Sequence, residues 1–511
     1  MSPRVSVWSS VVAVALLAVG VLIVDQVVPP AQPVPRDAEP AVTTATGGAW
    51  TCPVGDDREG TELTVSAIGP PATGTDPGQL QLGRFGDGDL DLGAPTSIAP
   101  GTGLQAALEG GDIAGFARWY DHPVGVYRHW RLSDTDDLPP GRAAGPCLAQ
   151  DSDRWWIPGM STAGGHEARL RLANPYASDA TVAIRLVTPE GPVEPTVLQN
   201  FTVLGRSSTE IEINEHLPER DDVAVEVRVI AGRVAAEGYQ LVRQAIGEVD
   251  GVSLLASAMQ PSTEWTVPWV TEDDDRFSWL WLLNPGDRPA PVELTLHGAE
   301  GGMAPEGLTE VTVEPGQVRR IDLRGTFPED QTSAAVTARS EGVAIVASGA
   351  VRIETDDPAN SGMATQLGAQ PGRAWLVAGG ATGNRMEQLR LVNAGAETAV
   401  VDVTLWDGSQ ALQPDEFSGI EVPPGSLRLL DPVEHLGEVP EWGAWVEASE
   451  GTLVVGHVGQ GGAEARELVA GPGLSSAAWE PTGPPVLTRH VQGLTQRIGL
   501  DPRLEQDPLD P

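Results

Sequence analysis

The sequence predicts an all-β protein of several antiparallel sandwiches in tandem, and three observations lead there. Asn174, Asn284 and Asn393 recur at intervals of 110 and 109 residues, about one domain each, with similar text around them. Short alternating apolar runs follow one another with turn residues roughly every 8 to 12 positions, the pattern of sandwich strands. Helical periodicity is nearly absent after the first 28 residues. Immunoglobulin-like sandwiches behind one amino-terminal transmembrane helix are the architecture expected.

The chain opens with Arg4 and then an uncharged run from Val5 to Val24, ended by Asp25. At about 1.5 Å per residue such a run spans roughly the 30 Å hydrocarbon core. No Ala-x-Ala cleavage site follows it, so residues 1–28 read as an uncleaved signal-anchor. Arg4 on the cytoplasmic side places everything after Asp25 outside, giving a single-pass membrane protein with an extracytoplasmic carboxy-terminal region. Residues 29–48, rich in proline, form a tether.

Residues 49–150 hold both cysteines, Cys52 and Cys147. Outside the cytoplasm, two cysteines that bracket one domain are most simply a disulfide. The same stretch is a worn copy of the repeat. Trp50 precedes Trp155 by 105 positions, Leu63–Ile68 alternates like a strand, and Pro100-Gly101 stands where later copies turn. Gly83–Gly93 replaces the Asn-Pro turn.

Three clear copies follow, over 151–262, 263–372 and 373–480. Each opens on tryptophan: Trp155-Trp-Ile-Pro158, Trp265-Thr-Val-Pro268 and Trp375-Leu-Val-Ala378. Each then runs strand, asparagine turn, strand, as in Leu170–Leu186. Later turns at Leu204-Gly205, Pro315-Gly316 and Pro424-Gly425 lead into further alternating runs. In the first clear copy seven strands are expected, near 155–158, 167–173, 180–187, 197–203, 208–213, 223–230 and 234–242. Residues 481–511 read as a flexible tail, in which 486–500 could add a strand or short helix.

The turn asparagines Asn174, Asn284 and Asn393 suit a structural role, because an Asn side chain bonds backbone groups two residues on. The 15 tryptophans, against four tyrosines, offer a second set of candidates. Packing inside sandwiches or between domains is the commoner use of tryptophan. Exposed tryptophan could instead stack on a sugar or a protein, which makes Trp155, Trp156, Trp265 and Trp375 the candidate ligand or partner contacts.

Acidic residues number 71 against 32 basic ones, for a net charge of −39. Such a surface argues against nucleic acid, whose phosphates need a basic face. Asp87-Gly-Asp-Leu-Asp91 spaces its carboxylates as calcium loops do, but Leu92 and Ile98 stand where an EF-hand has its glycine and closing glutamate. With Asp134–Asp137 and Asp273–Asp275 it is the only opening for calcium; no cofactor or metal centre is expected. Neither His-Glu-x-x-His, Gly-x-Ser-x-Gly nor a phosphate loop occurs, and the paired cysteines leave no thiol nucleophile. No catalytic residue is expected. Asn200-Phe-Thr202 matches a glycosylation acceptor by chance.

The combination of an amino-terminal anchor, Trp50-Thr-Cys52-Pro53, and Trp155-Trp-Ile-Pro-Gly159 leading to Leu170-Arg-Leu-Ala-Asn-Pro175 resembles an uncharacterised actinobacterial family of secreted or membrane-anchored proteins, a domain of unknown function. The resemblance covers most of Trp50–Trp479 and implies a place in the cell envelope, with no activity to carry over. The expected function is therefore a non-catalytic, membrane-anchored extracytoplasmic protein that binds or spaces envelope glycans or proteins. The alternatives are a glycan-active enzyme or its accessory subunit, and a calcium-stiffened adhesion rod.

Overall fold

The structure is a computed structural model that describes residues 43–45, 47–53, 60–71, 77–107, 114–135, 138–149, 152–245, 249–308, 311–328, 330–355, 361–380, 382–383, 385–461, 468–475, 486–491 and 494–498. The expected anchor and most of the tether lie outside these residues. No helix among the described residues is long and apolar enough to cross a membrane.

The chain is all-β and every sheet is antiparallel. One copy serves to name the strands: β1 (Arg154–Met160), β2 (His166–Asn174), β3 (Ala180–Thr188), β4 (Gly191–Val193), β5 (Phe201–Val203), β6 (Ser207–Glu212), β7 (Val223–Ala231), β8 (Ala235–Ala245) and β9 (Val249–Leu255). They form two sheets, β1-β7-β3-β4 with β5 also on β3, and β6-β2-β8-β9. Alternation dictates the packing: Val182, Ile184 and Leu186 of β3 and Leu170 and Leu172 of β2 point into one buried core between the sheets. Slipping either strand by one residue would turn those side chains out, so the register is well specified.

The same order of pairing returns in every copy. Counterparts of β1 to β9 make the sheets over 47–149, 264–367 and 374–475, including the stretch whose sequence pattern was worn. Two strands go beyond the seven expected in the reference copy, β4 and β9. β9 is hard to see in the sequence because it is buried along its whole length and so does not alternate.

Those β9 strands organise the molecule. The counterparts of β9 are Gly141–Pro146, Gly362–Leu367 and Leu468–Pro472, and each touches the next in turn until the last meets the first. Gly141 lies against Val252 so closely that a Cβ would fall 3.0 Å from its backbone nitrogen. Ser253 Oγ donates to the Met363 carbonyl at 3.1 Å, and Thr365 Oγ1 donates to the Leu254 carbonyl at 2.9 Å. The four sandwiches therefore close into a ring. The sequence left the arrangement of the tandem sandwiches open: a head-to-tail contact that is repeated closes when its rotation divides the circle, and here it closes after four.

A second, small unit is a sheet of its own. Val486–Val491 and Leu494–Ile498 form a hairpin whose first strand pairs with Thr43–Ala45.

Candidate functional site

The residues singled out by their recurrence are all framework. Asn174 is fully buried; its Nδ2 donates to the carbonyls of Ser178 (2.9 Å) and Val203 (3.3 Å), and its Oδ1 accepts the Tyr176 N–H (3.0 Å). Asn284 makes the same three bonds to Arg288, Val313 and Gly286, and Asn393 to Glu397, Val422 and Gly395. Each ties the turn after the β2-type strand to the β5-type strand. The bonds are to backbone, which is why Ala394 can replace proline without loss.

The tryptophans expected as ligand or partner contacts are corrected by their burial. Trp155, Trp265 and Trp375 are at most 3 % exposed, and each indole N–H donates to the carbonyl just before the β8-type strand: Val234 at 3.1 Å, Ile345 at 2.7 Å and Leu453 at 3.0 Å. Trp50 does the same to Val124 at 2.7 Å. The bond holds one sheet to the other, since the donor and acceptor lie on opposite layers. Trp156, which faces the other way along β1, is buried in the core cluster of the next sandwich. Among the described residues every tryptophan is buried except Trp279, which is partly so.

Cys52 and Cys147 form a disulfide that joins the opening strand of the first sandwich to the end of its closing strand. The acidic stretches do not converge. Asp91 faces Arg84 at 3.7 Å, Asp134 faces Arg243 at 3.9 Å, and Asp273 accepts the backbone N–H of Asp275 at 3.0 Å in its own turn. Asp136 and Asp137 lie outside the described residues. Among the described residues no group of three or more His, Cys, Asp or Glu is placed to hold a metal ion.

Polar chemistry concentrates instead where sandwiches meet. Between the second and third copies and between the third and fourth, the β2- and β8-type strands of the following copy lie on the opening strand of the copy before it. Between the first and second, Arg128 and Glu237 form a wholly buried ion pair beside an edge-to-face contact of Trp130 with Tyr239. Burial pushes the Glu237 carboxyl up, against the pull of Arg128, to about 7. Between the second and third, Trp281 Nε1 donates to Asp222 Oδ1 at 2.9 Å and Ser348 Oγ to the Pro158 carbonyl at 3.3 Å.

Between the third and fourth, Arg390 is fully buried; its Nε donates to the Pro268 carbonyl (2.8 Å) and its Nη2 to Ser333 Oγ and the Ala334 carbonyl (both 3.1 Å). Between the fourth and first, the Tyr127 hydroxyl donates to the Leu376 carbonyl at 2.7 Å and Ser66 Oγ to Glu441. Leu376 fills the space left by Gly125, and the Arg142 guanidinium fills that left by Gly380. Arg142 Nη2 also donates to His129 Nδ1 at 3.1 Å. Burial pushes the Glu441 carboxyl up to about 8, with Arg142 opposing.

One further polar group is interior to a sandwich. Glu387 Oε2 lies 2.6 Å from His457 Nε2 and accepts the Trp442 indole N–H at 3.3 Å, all three side chains being buried in the fourth copy. Sequence reading missed these junction and core groups, because apart from Arg142 with His129 the partners lie 55 to 375 residues apart.

No curated protein matches this chain. A solved crystal structure titled Thermotoga maritima 1070 is 17% identical, covering 22% of this chain and 96% of that one with a TM-score of 0.19. The model of a family of unknown function, DUF5719, matches residues 121–371 and 328–431, which reach into all four sandwiches. The chain belongs to that family.

Proposed function

We propose that this protein is a non-catalytic, membrane-anchored extracytoplasmic binding or scaffolding protein of the bacterial cell envelope, and that its ring of sandwiches is a rigid platform. The observation that carries the reading is where the chain uses its distinctive side chains. The recurrent asparagines, the tryptophans and the buried arginine and glutamate residues all serve the sandwiches and their junctions. A chain that spends these groups on shape presents surface rather than a reactive centre. The anchor at residues 1–28 and the tether at 29–48 would hold that platform off the bilayer.

Each sandwich is read as a variant of the immunoglobulin-like kind. The pairs β2–β6 and β3–β7 correspond to the B–E and C–F pairs of an immunoglobulin sandwich. The flanking strands differ, since β1 lies beside β7 and β8 beside β2, the places taken there by the last and first strands.

Proximity labelling from the full-length protein in its own cell tests the reading. Recovery of extracytoplasmic envelope proteins is the expected result; labelling confined to cytoplasmic proteins would overturn it. Turnover of an envelope glycan by the purified protein, abolished by substitution of one carboxylate, would replace it with the glycan-active alternative.

A further inference from the structure

The junctions share one contact in which position is constant and chemistry is not. Aligning the copies on their strand pairing puts Ser66, Arg171, Trp281 and Arg390 at one outward position of the β2-type strand, three residues before the turn asparagine where there is one. The same alignment makes Asp222, Ser333 and Glu441 equivalent, at or just before the start of the β7-type strand. At three junctions the first position of one copy donates to the second position of the copy before it. The pairs are Trp281 to Asp222 at 2.9 Å, Arg390 to Ser333 at 3.1 Å, and Ser66 to Glu441.

The donor always comes from the following copy and the acceptor from the preceding one. Reach is complementary as well. Arginine, the longest donor, meets serine, the shortest acceptor; serine, the shortest donor, meets glutamate, the longest acceptor. The long, rigid indole meets the short carboxylate of aspartate. Ser66, Trp281, Arg390 and Glu441 are buried, and Asp222 and Ser333 partly so.

We propose that these length-matched pairs set the order in which the four sandwiches close, so that at those three junctions each copy accepts only its proper neighbour. Four homologous sandwiches on one chain otherwise invite misassembly, because every face of one kind resembles the other three. A wrong neighbour brings either too little reach, as Ser66 opposite Ser333 would, or too much, as Trp281 opposite Glu441 would. The first leaves buried polar groups without partners and the second forces the sheets apart. Discrimination thus comes from what the wrong pair lacks, as it does at specific interfaces between proteins. The seam between fourth and first depends on this most, since no linker joins those two sandwiches.

Urea unfolding of the full-length protein, followed by tryptophan fluorescence, tests this with four variants. Glu441→Asp gives the seam the acceptor of the second junction and is expected to raise the unfolding equilibrium constant roughly tenfold. Ser66→Asn adds the missing reach and keeps a donor, so the double variant S66N/E441D should return to within about threefold of the parent, while S66N alone should not. Ser333→Glu sets a carboxylate opposite Arg390: charge alone predicts a tighter junction, reach predicts a looser one. The proposal is overturned if S333E stabilises the ring, or if S66N/E441D is no more stable than E441D. Far-ultraviolet circular dichroism on each variant confirms that the sandwiches themselves have formed.

Discussion

The Tyr127 hydroxyl donates to the Leu376 carbonyl at 2.7 Å across 249 residues, and this bond joins the first sandwich to the last. Tyr127 is 4 % exposed, and burial raises its hydroxyl further above its ordinary pKa, so it acts only as a neutral donor. Tyr127→Phe keeps the ring in place and removes that donor, which takes a buried hydrogen bond from the Leu376 carbonyl. The expected cost is about 1–3 kcal/mol. Denaturant titration measures it, and an unchanged midpoint would show that water supplies the missing bond.

The turn asparagines should be more sensitive than any exposed position. Asn284→Ala takes a partner from the buried carbonyl of Val313 and, in the exposed turn beside it, from the Arg288 carbonyl and the Gly286 N–H. The Val313 carbonyl loses a partner that water does not easily replace, so a loss of about 1–3 kcal/mol is expected in thermal or urea unfolding. Asn284→Asp should cost as much or more, because two donated bonds become acceptor against acceptor. A loss below about 0.5 kcal/mol, typical of a surface change, would contradict the role.

The asparagines and the opening tryptophans were legible because their chemistry is local or repeated. Asn174 bonds within its own turn, and Trp155, Trp265 and Trp375 recur at the domain interval. What they do was only half legible, since burial is a property of the other sheet and of the neighbouring copy. The closing strands were not legible at all in the reference copy. Alternation arises when one face of a strand meets water, and Val249–Leu255 is buried along its whole length. Its counterpart Gly141–Pro146 is rich in glycine because Val252 and Leu254 press against it. Ring closure was invisible for a related reason. It depends on contacts such as Ser66 with Glu441, which no window of sequence contains.

Acidity should tighten the seam. Glu441 binds its proton more strongly in the closed ring, up to about 8, than in an open chain near 4.5, because burial opposes its charge more than Arg142 and Ser66 favour it. A carboxyl raised on folding contributes stability that is full below 4.5, falls as the pH rises from 4.5 to 8, and is constant above. At about 1.4 kcal/mol per pKa unit the change is at most about 5 kcal/mol. Glu441→Gln keeps the shape without the titration. The difference in unfolding free energy between parent and E441Q should therefore move in favour of E441Q from pH 5 to pH 8; a difference independent of pH would refute the assignment.

The disulfide bears on the seam because of where it lies. Cys52 ends the opening strand of the first sandwich, and Cys147 follows the closing strand that touches both the second and the fourth copies. The linked positions are 95 residues apart, so in the chain-entropy picture the bond stabilises by roughly 4–5 kcal/mol by restricting the unfolded chain. The first sandwich also lacks the asparagine that braces the others. Reduction, or Cys52→Ser with Cys147→Ser, should therefore loosen that sandwich first and open the ring on its fourth-to-first side. Hydrogen exchange should quicken at the amides of Thr61–Ile68 and Gly125–Leu132 while those of His166–Asn174 keep their protection. Uniform loss of protection across all four sandwiches would mean instead that the ring unfolds as one cooperative body, with the disulfide stabilising every junction at once.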